Sequence, residues 1–325
     1  MERKPLGRSG YEVSAIGLGC VTFGREIDED ASYRLLDYAM EKGITLFDTA
    51  EIYGGAQSRL DRAEYLGFDE VREVAHEVSS SERVLGRWLK SQGSRKDVVI
   101  TTKFLVSRLE GSITQMLEAS LERLNTDYVD IFELHAPDPS IPIDEIIAEM
   151  SGLVDAGLTR VIGCSNHTGA QLREALDVSA SHGYARFEVT QPLYNLAIPD
   201  AEEDLFPLCE SEGIAVTPYS PLAAGFLSGK YTQDRSQYPK GSRFDILPDH
   251  ADIYFSDRSF RIIDKLRSRS EELGTPMVNL AMAWVISHPT VAAALIGART
   301  TAHIDNALEA YEVGMEAGLR ADLAE

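Results

Sequence analysis

Short apolar runs alternate along this chain with longer stretches whose apolar residues return every three or four positions. The first pattern suits strands buried on both faces, and the second suits helices that cover them. Eight runs recur, at residues 15–19, 45–49, 98–103, 128–135, 160–165, 187–191, 215–220 and 292–297. Between them the periodicity predicts helices over 30–41, 82–91, 112–124, 143–156, 169–180, 201–212 and 276–288. Gly43, Gly157, Gly183 and Gly213 stand just past four helix ends, where a left-handed residue is wanted. Eight such runs with covering helices between them predict an α/β fold: a (β/α)8 TIM barrel, single domain, over residues 1–325. Three segments depart from the repeat. Residues 1–13 read as a small hairpin plugging the barrel floor, 225–255 as a long polar and aromatic stretch, and about 56–80 as an insertion.

Composition narrows the classes of partner. The chain has 325 residues with 31 Lys and Arg against 52 Asp and Glu, a formal charge of −21. Such a surface repels nucleic-acid phosphate and anionic lipid. Cys20, Cys164 and Cys209 are too few and too scattered for a disulfide framework or a thiolate metal cage. Neither a signal-peptide core nor a membrane-length apolar stretch is present, so a cytoplasmic location is expected. The pattern says nothing of oligomeric state.

In such barrels the chemistry sits at the carboxyl ends of the strands. Here those ends are polar. Asp48 ends the second run, with Tyr53 five residues on; Lys103 ends the third and His135 the fourth. Ser165 and Asn166 end the fifth, Gln191 the sixth, Tyr219 and Ser220 the seventh, and the eighth leads into Gly297 and Arg299. A carboxylate, an ammonium, a phenol and an imidazole brought together suit proton transfer to a carbonyl oxygen. A buried ammonium beside the phenol is expected to draw its pKa below about 10, and the carboxylate to keep that ammonium charged. No His, Cys or carboxylate pair has metal-ligand spacing, and no serine occupies a G-x-S-x-G elbow. A two-carboxylate glycosidase is disfavoured by Lys103 beside Asp48.

These residues resemble the aldo-keto reductases. The stretch from Leu46 through Asp48 and Tyr53 to Gly54 is similar to that family's signature around its catalytic aspartate and tyrosine. Thr101, Thr102 and Lys103 resemble its lysine motif, and Leu134 and His135 its histidine motif. The resemblance implies that Asp48 and Lys103 tune Tyr53 as proton donor, that His135 orients a substrate carbonyl, and that hydride comes from a reduced nicotinamide. It also implies cofactor contacts from Ser165, Asn166 and Gln191 to the carboxamide, from the Tyr219 ring to the nicotinamide, and from Ser220, Leu222, Gly225 and Lys230 to the pyrophosphate. Gly297, Arg299 and His303 fall at the adenosine-phosphate site, where Arg299 favours NADPH while NADH remains possible. His303 and Ala307 stand where the family usually has Gln or Arg, and Asn.

The expected activity is reduction of a small-molecule carbonyl substrate, reversible to alcohol oxidation. Glu51, Glu133, Asp138, Arg243 and Asp245 hint at a hydroxylated substrate such as a sugar. A nucleotide-binding, redox-sensing regulatory subunit with little turnover is the alternative. In the insertion, Val71, Val74, Ala75 and Val78 predict a short helix over 69–79, either a surface decoration or a roof over the pocket with Tyr65, Phe68 or His76 facing in.

Overall fold

The computed structural model describes residues 1–55, 74–75, 77–93, 95–109 and 111–324. A hairpin of β1 (Arg3–Pro5) and β2 (Glu12–Ser14) precedes the main sheet. That sheet holds β3 (Ile16–Gly19), β4 (Leu46–Asp48), β5 (Val99–Phe104), β6 (Val129–Leu134), β7 (Thr159–Ser165), β8 (Phe187–Gln191), β9 (Ala215–Val216) and β10 (Ala294–Gly297). Each strand pairs in parallel with its neighbour in the order β10, β3, β4 and onward to β9. The ends meet. Ala292 N donates to Val216 O at 2.8 Å and Leu295 N to Pro218 O at 2.9 Å, so the sheet closes into an eight-stranded barrel without a free edge. β9 is shorter than the predicted run because Pro218 lacks an N–H and Ser220 turns to φ +57°.

The hairpin reaches the floor as expected. Leu6 and Val13 are buried against Leu46, Ile131, Val161 and Val189 from the barrel interior. Helices α1 (Glu29–Glu41), α2 (Ser80–Gln92), α3 (Ile113–Leu124), α4 (Ile143–Asp155), α5 (Gly169–His182) and α6 (Leu205–Glu212) follow β3 to β8 in turn. Their starts are set locally: Asp28 accepts from Ala31 N at 2.8 Å, while Ser112 with Gln115 and Thr168 with Gln171 form capping boxes. Trp88 and Trp284 are buried, Trp88 meeting Phe47 edge-on at 5.6 Å.

The segment 225–255 folds around α7 (Arg243–Ile246) and α8 (Ala251–Tyr254), where Tyr231, Phe244 and Phe255 pack together. Then come α9 (Asp257–Leu273), α10 (Met277–Ile286), α11 (Thr301–Val313) and α12 (Ala317–Ala324). The apolar periodicity did not predict α9 or α12. Most of the helix expected over 69–79 lies outside the described residues, as do Tyr65, Phe68 and His76. Its described part is bend and turn, ending at Ser79 with φ +56°. Among the described residues no helix is long and apolar enough to cross a membrane.

Candidate active site

Tyr53 lies on the loop after β4, and the start of α2 holds that loop. Ser81 N donates to Tyr53 O at 3.1 Å and Ser79 N to Gly54 O at 3.2 Å, while Ser79 Oγ donates to Glu51 O at 2.6 Å. Gly54 is required here: at φ +80° a Cβ would stand 2.0 Å from Ser80 Oγ. Glu82, wholly buried, locks α2 to its neighbours by accepting from Thr102 Oγ1 and from Arg123 Nε, both at 2.5 Å.

Beneath the phenol is a buried charge network. Lys103 Nζ donates to Asp48 Oδ1 at 2.5 Å and to Thr49 O at 2.8 Å. The same ammonium lies 5.1 Å from the centre of the Tyr53 ring, whose edge meets His135 at 5.8 Å between centroids. Burial works against the Lys103 charge, yet Asp48, Tyr53 and Glu133 together hold its pKa above the ordinary lysine value. The expected acidification of Tyr53 does not occur. Burial pushes its pKa up to about 12, outweighing the downward pull of Lys103, and Asp48 and Glu133 reinforce the rise. Tyr53 is therefore a fully protonated phenol at neutral pH. Burial, helped by Lys103, takes His135 down to about 3, so its imidazole is neutral, and its buried Nδ1 has no hydrogen-bond partner.

These groups open on a cavity of about 710 Å³ that runs along the carboxyl ends of the strands. Every site residue predicted from sequence lines it except Lys103, which lies underneath: Asp48, Tyr53, His135, Ser165, Asn166, Gln191, Tyr219, Ser220, Leu222, Gly225, Lys230, Gly297, Arg299 and His303. Asn166 is already engaged, its Nδ2 donating to His135 O at 2.9 Å and its Oδ1 accepting from Tyr219 OH at 2.8 Å. Ser165 Oγ donates to Gln191 O at 2.8 Å. Gln191 gives its Nε2 to Asp48 Oδ1 at 2.9 Å and Glu133 Oε2 at 3.1 Å. His303 Nδ1 accepts from Arg299 N at 3.1 Å, and Ala307 is packed into the core rather than onto the cavity.

The far end of the cavity is cationic. Arg25, Lys230, Arg243 and Arg299 line it around the carboxylate of Glu26, which pairs with Arg25 at 2.6 Å and with Arg243 and Arg299 at 3.6 Å each. Sequence reasoning missed Arg25 and Glu26, although the loop after the first strand belongs to the same rim. It missed Asn306 too, one position before the Ala307 it had weighed. Of the polar residues read as a sugar signature, only Arg243 lines the cavity. Asp138 and Asp245 accept from Ser140 N and Gly241 N in local turns, Glu51 accepts from Leu105 N, and Glu133 is buried below.

A long groove with a phenol over a buried ion pair at one end and clustered cations at the other suits a dinucleotide-dependent oxidoreductase. The family model for the aldo/keto reductases matches residues 15–317, and the chain belongs to that family. It is 29% identical to an uncharacterized oxidoreductase, YrpG, of Bacillus subtilis, over 97% of this chain and 93% of that one. It is 31% identical to a probable voltage-gated potassium channel subunit beta of Arabidopsis thaliana, over 96% and 92%. With the aldo-keto reductase YhdN of Bacillus subtilis it shares 30% identity over 94% and 87%. The fold and the family make this an NAD(P)H-dependent oxidoreductase acting on carbonyl compounds.

Proposed function

We propose that the cavity holds NADPH in preference to NADH, and that Tyr53 protonates the oxygen of an aldehyde or ketone as the compound is reduced to an alcohol. The observation that carries this reading is the Asp48–Lys103 ion pair, buried under a phenol that opens on a groove with a cationic far end. When bound, the reduced nicotinamide supplies the hydride.

The chain's own residues supply the rest. Tyr53, with a pKa near 12, carries its proton throughout the physiological range. Lys103 stabilises the phenolate left when that proton leaves, and Asp48 fixes the ammonium and keeps it charged. His135 is neutral; with no acceptor at Nδ1, a proton on Nε2 serves as the donor that orients the carbonyl. The residues fit a dinucleotide: Gln191 offers an amide oxygen, Tyr219 a ring face, and Ser220, Leu222 and Gly225 a loop for the pyrophosphate. Lys230 and Arg299 suit phosphate groups, and His303 suits the adenine. Burial and the charges of Arg299 and Lys230 lower the pKa of His303, which keeps its ring neutral.

Direct titration with each dinucleotide tests the preference. The chain should bind NADPH more tightly than NADH. Arg299→Ala should weaken NADPH about tenfold, the loss of one charge-assisted contact, and leave NADH within about twofold. Equal affinity of the unaltered chain for the two dinucleotides would contradict the assignment of Arg299.

The likeness to a protein named as a potassium channel subunit beta supports a second reading, a regulatory subunit that binds nucleotide with little turnover. It predicts the same binding without consumption of the cofactor.

A further inference from the structure

Glu133 has no place in the mechanism above, yet it lies in the barrel interior at the heart of the site. It is wholly buried on β6, in register with Lys103 on β5 and Gly163 on β7. Its strand neighbours Ile131, Phe132 and Leu134 are apolar. An apolar side chain would fill this position without the desolvation cost of a carboxyl group. The barrel makes room for it as well, since a Cβ on Gly163 would come within 3.2 Å of Glu133 Cγ and 2.7 Å of Val189 O.

The hydrogen-bond arithmetic shows what the group does. A glutamine amide has two N–H donors and one oxygen. Gln191 spends its donors on Asp48 Oδ1 at 2.9 Å and Glu133 Oε2 at 3.1 Å. A flipped amide would set its oxygen against the Asp48 carboxylate, which has no proton to donate. Gln191 lines the cavity, and its Oε1 is the amide atom left for a ligand.

We propose that Glu133 is a positioning residue: by accepting from Gln191 it locks that amide with its oxygen toward the cavity, so the site selects a nicotinamide carboxamide through the N–H groups of that carboxamide. This rests on the dinucleotide reading above. With Asp48 alone, one amide hydrogen would lose its partner and the side chain would be free to rotate away.

The test compares binding of NADP+ with that of its 3-acetylpyridine analogue, in which a methyl replaces the carboxamide NH2, by titration without substrate. The unaltered chain should prefer NADP+ about tenfold, the worth of one good hydrogen bond. Glu133→Leu should reduce that preference to about twofold or less. Glu133→Gln, whose amide oxygen can still accept from Gln191, should restore it. A purely structural role would weaken both ligands equally and leave the ratio unchanged. If the unaltered chain binds both ligands equally, the inference fails whether or not the leucine variant folds, while the dinucleotide reading survives. If Glu133→Gln loses the preference as fully as Glu133→Leu, the inference also fails. If the chain binds neither dinucleotide, the reading beneath it falls too.

Discussion

Lys103 illustrates how much one side chain is asked to do. It neutralises Asp48, lies under the face of Tyr53 and shares its field with Glu133, all without contact with water. Lys103→Met should therefore act twice. Stability should fall by about 3–5 kcal/mol, because a buried carboxylate loses its partner. Carbonyl reduction should fall by about 10²–10⁴, because nothing stabilises the phenolate. Urea unfolding and steady-state rates measure the two effects separately, and a variant that unfolds like its parent and still turns over at the parental rate would contradict both. The residue types and their strand-end positions were legible in the sequence because the barrel topology alone gathers them. The direction of the Tyr53 shift was not. It depends on how far the fold shields the phenol from water and on the two carboxyl groups near Lys103, and spacing along the chain reveals neither. Glu26 was equally hidden, since Arg243 and Arg299, which meet it beside its chain neighbour Arg25, come from distant segments.

At the scale of elements, the loop that carries Tyr53 depends on α2. The inserted residues return to the barrel at Ser79–Glu82, and the hydrogen bonds from Ser79 and Ser81 hold residues 51–54 in place. Glu82→Ala would leave Arg123 half-buried without its carboxylate and Thr102 without its acceptor. It should cost about 3–5 kcal/mol in thermal or urea unfolding. A loss under about 1 kcal/mol would mean that Glu82 does not hold the helix. Seven helices and all eight barrel strands were legible because two-faced burial of strands and one-faced burial of helices leave distinct periodicities. α9 escaped because its many charged residues mask the stripe of Ile262, Ile263 and Leu266, although Ser256 at its start and Gly274 at its end are ordinary boundary signals. The valine spacing in the insertion misled near 77–79, where the chain turns to meet α2.

For the whole molecule, the buried site gives stability a pH dependence with two opposing parts. His135 is depressed to about 3 from 6.5, so its contribution is present above pH 6.5 and lost as pH falls toward 3. Glu133 is raised to about 8 from 4.5, chiefly by burial, so its contribution is present below pH 4.5 and lost as pH rises toward 8. Glu133→Gln should therefore gain stability relative to its parent between pH 5 and pH 8, read as the difference in urea midpoints. An unchanged difference would contradict the raised carboxyl pKa. The same scale governs ligand approach: a chain of formal charge −21 repels anions at a distance, and Arg25, Lys230, Arg243 and Arg299 offset that field at one end of the cavity.

The most direct measurement is NADPH consumption across a panel of aldehydes, ketones and sugars, run beside Tyr53→Phe with dinucleotide binding measured in both proteins. The account predicts turnover by the unaltered chain on at least one class of carbonyl compound, and a loss of about 10³-fold or more in Tyr53→Phe with NADPH still bound. Tight binding of NADPH with no consumption on any member of the panel, or a Tyr53→Phe variant as fast as its parent, would contradict it.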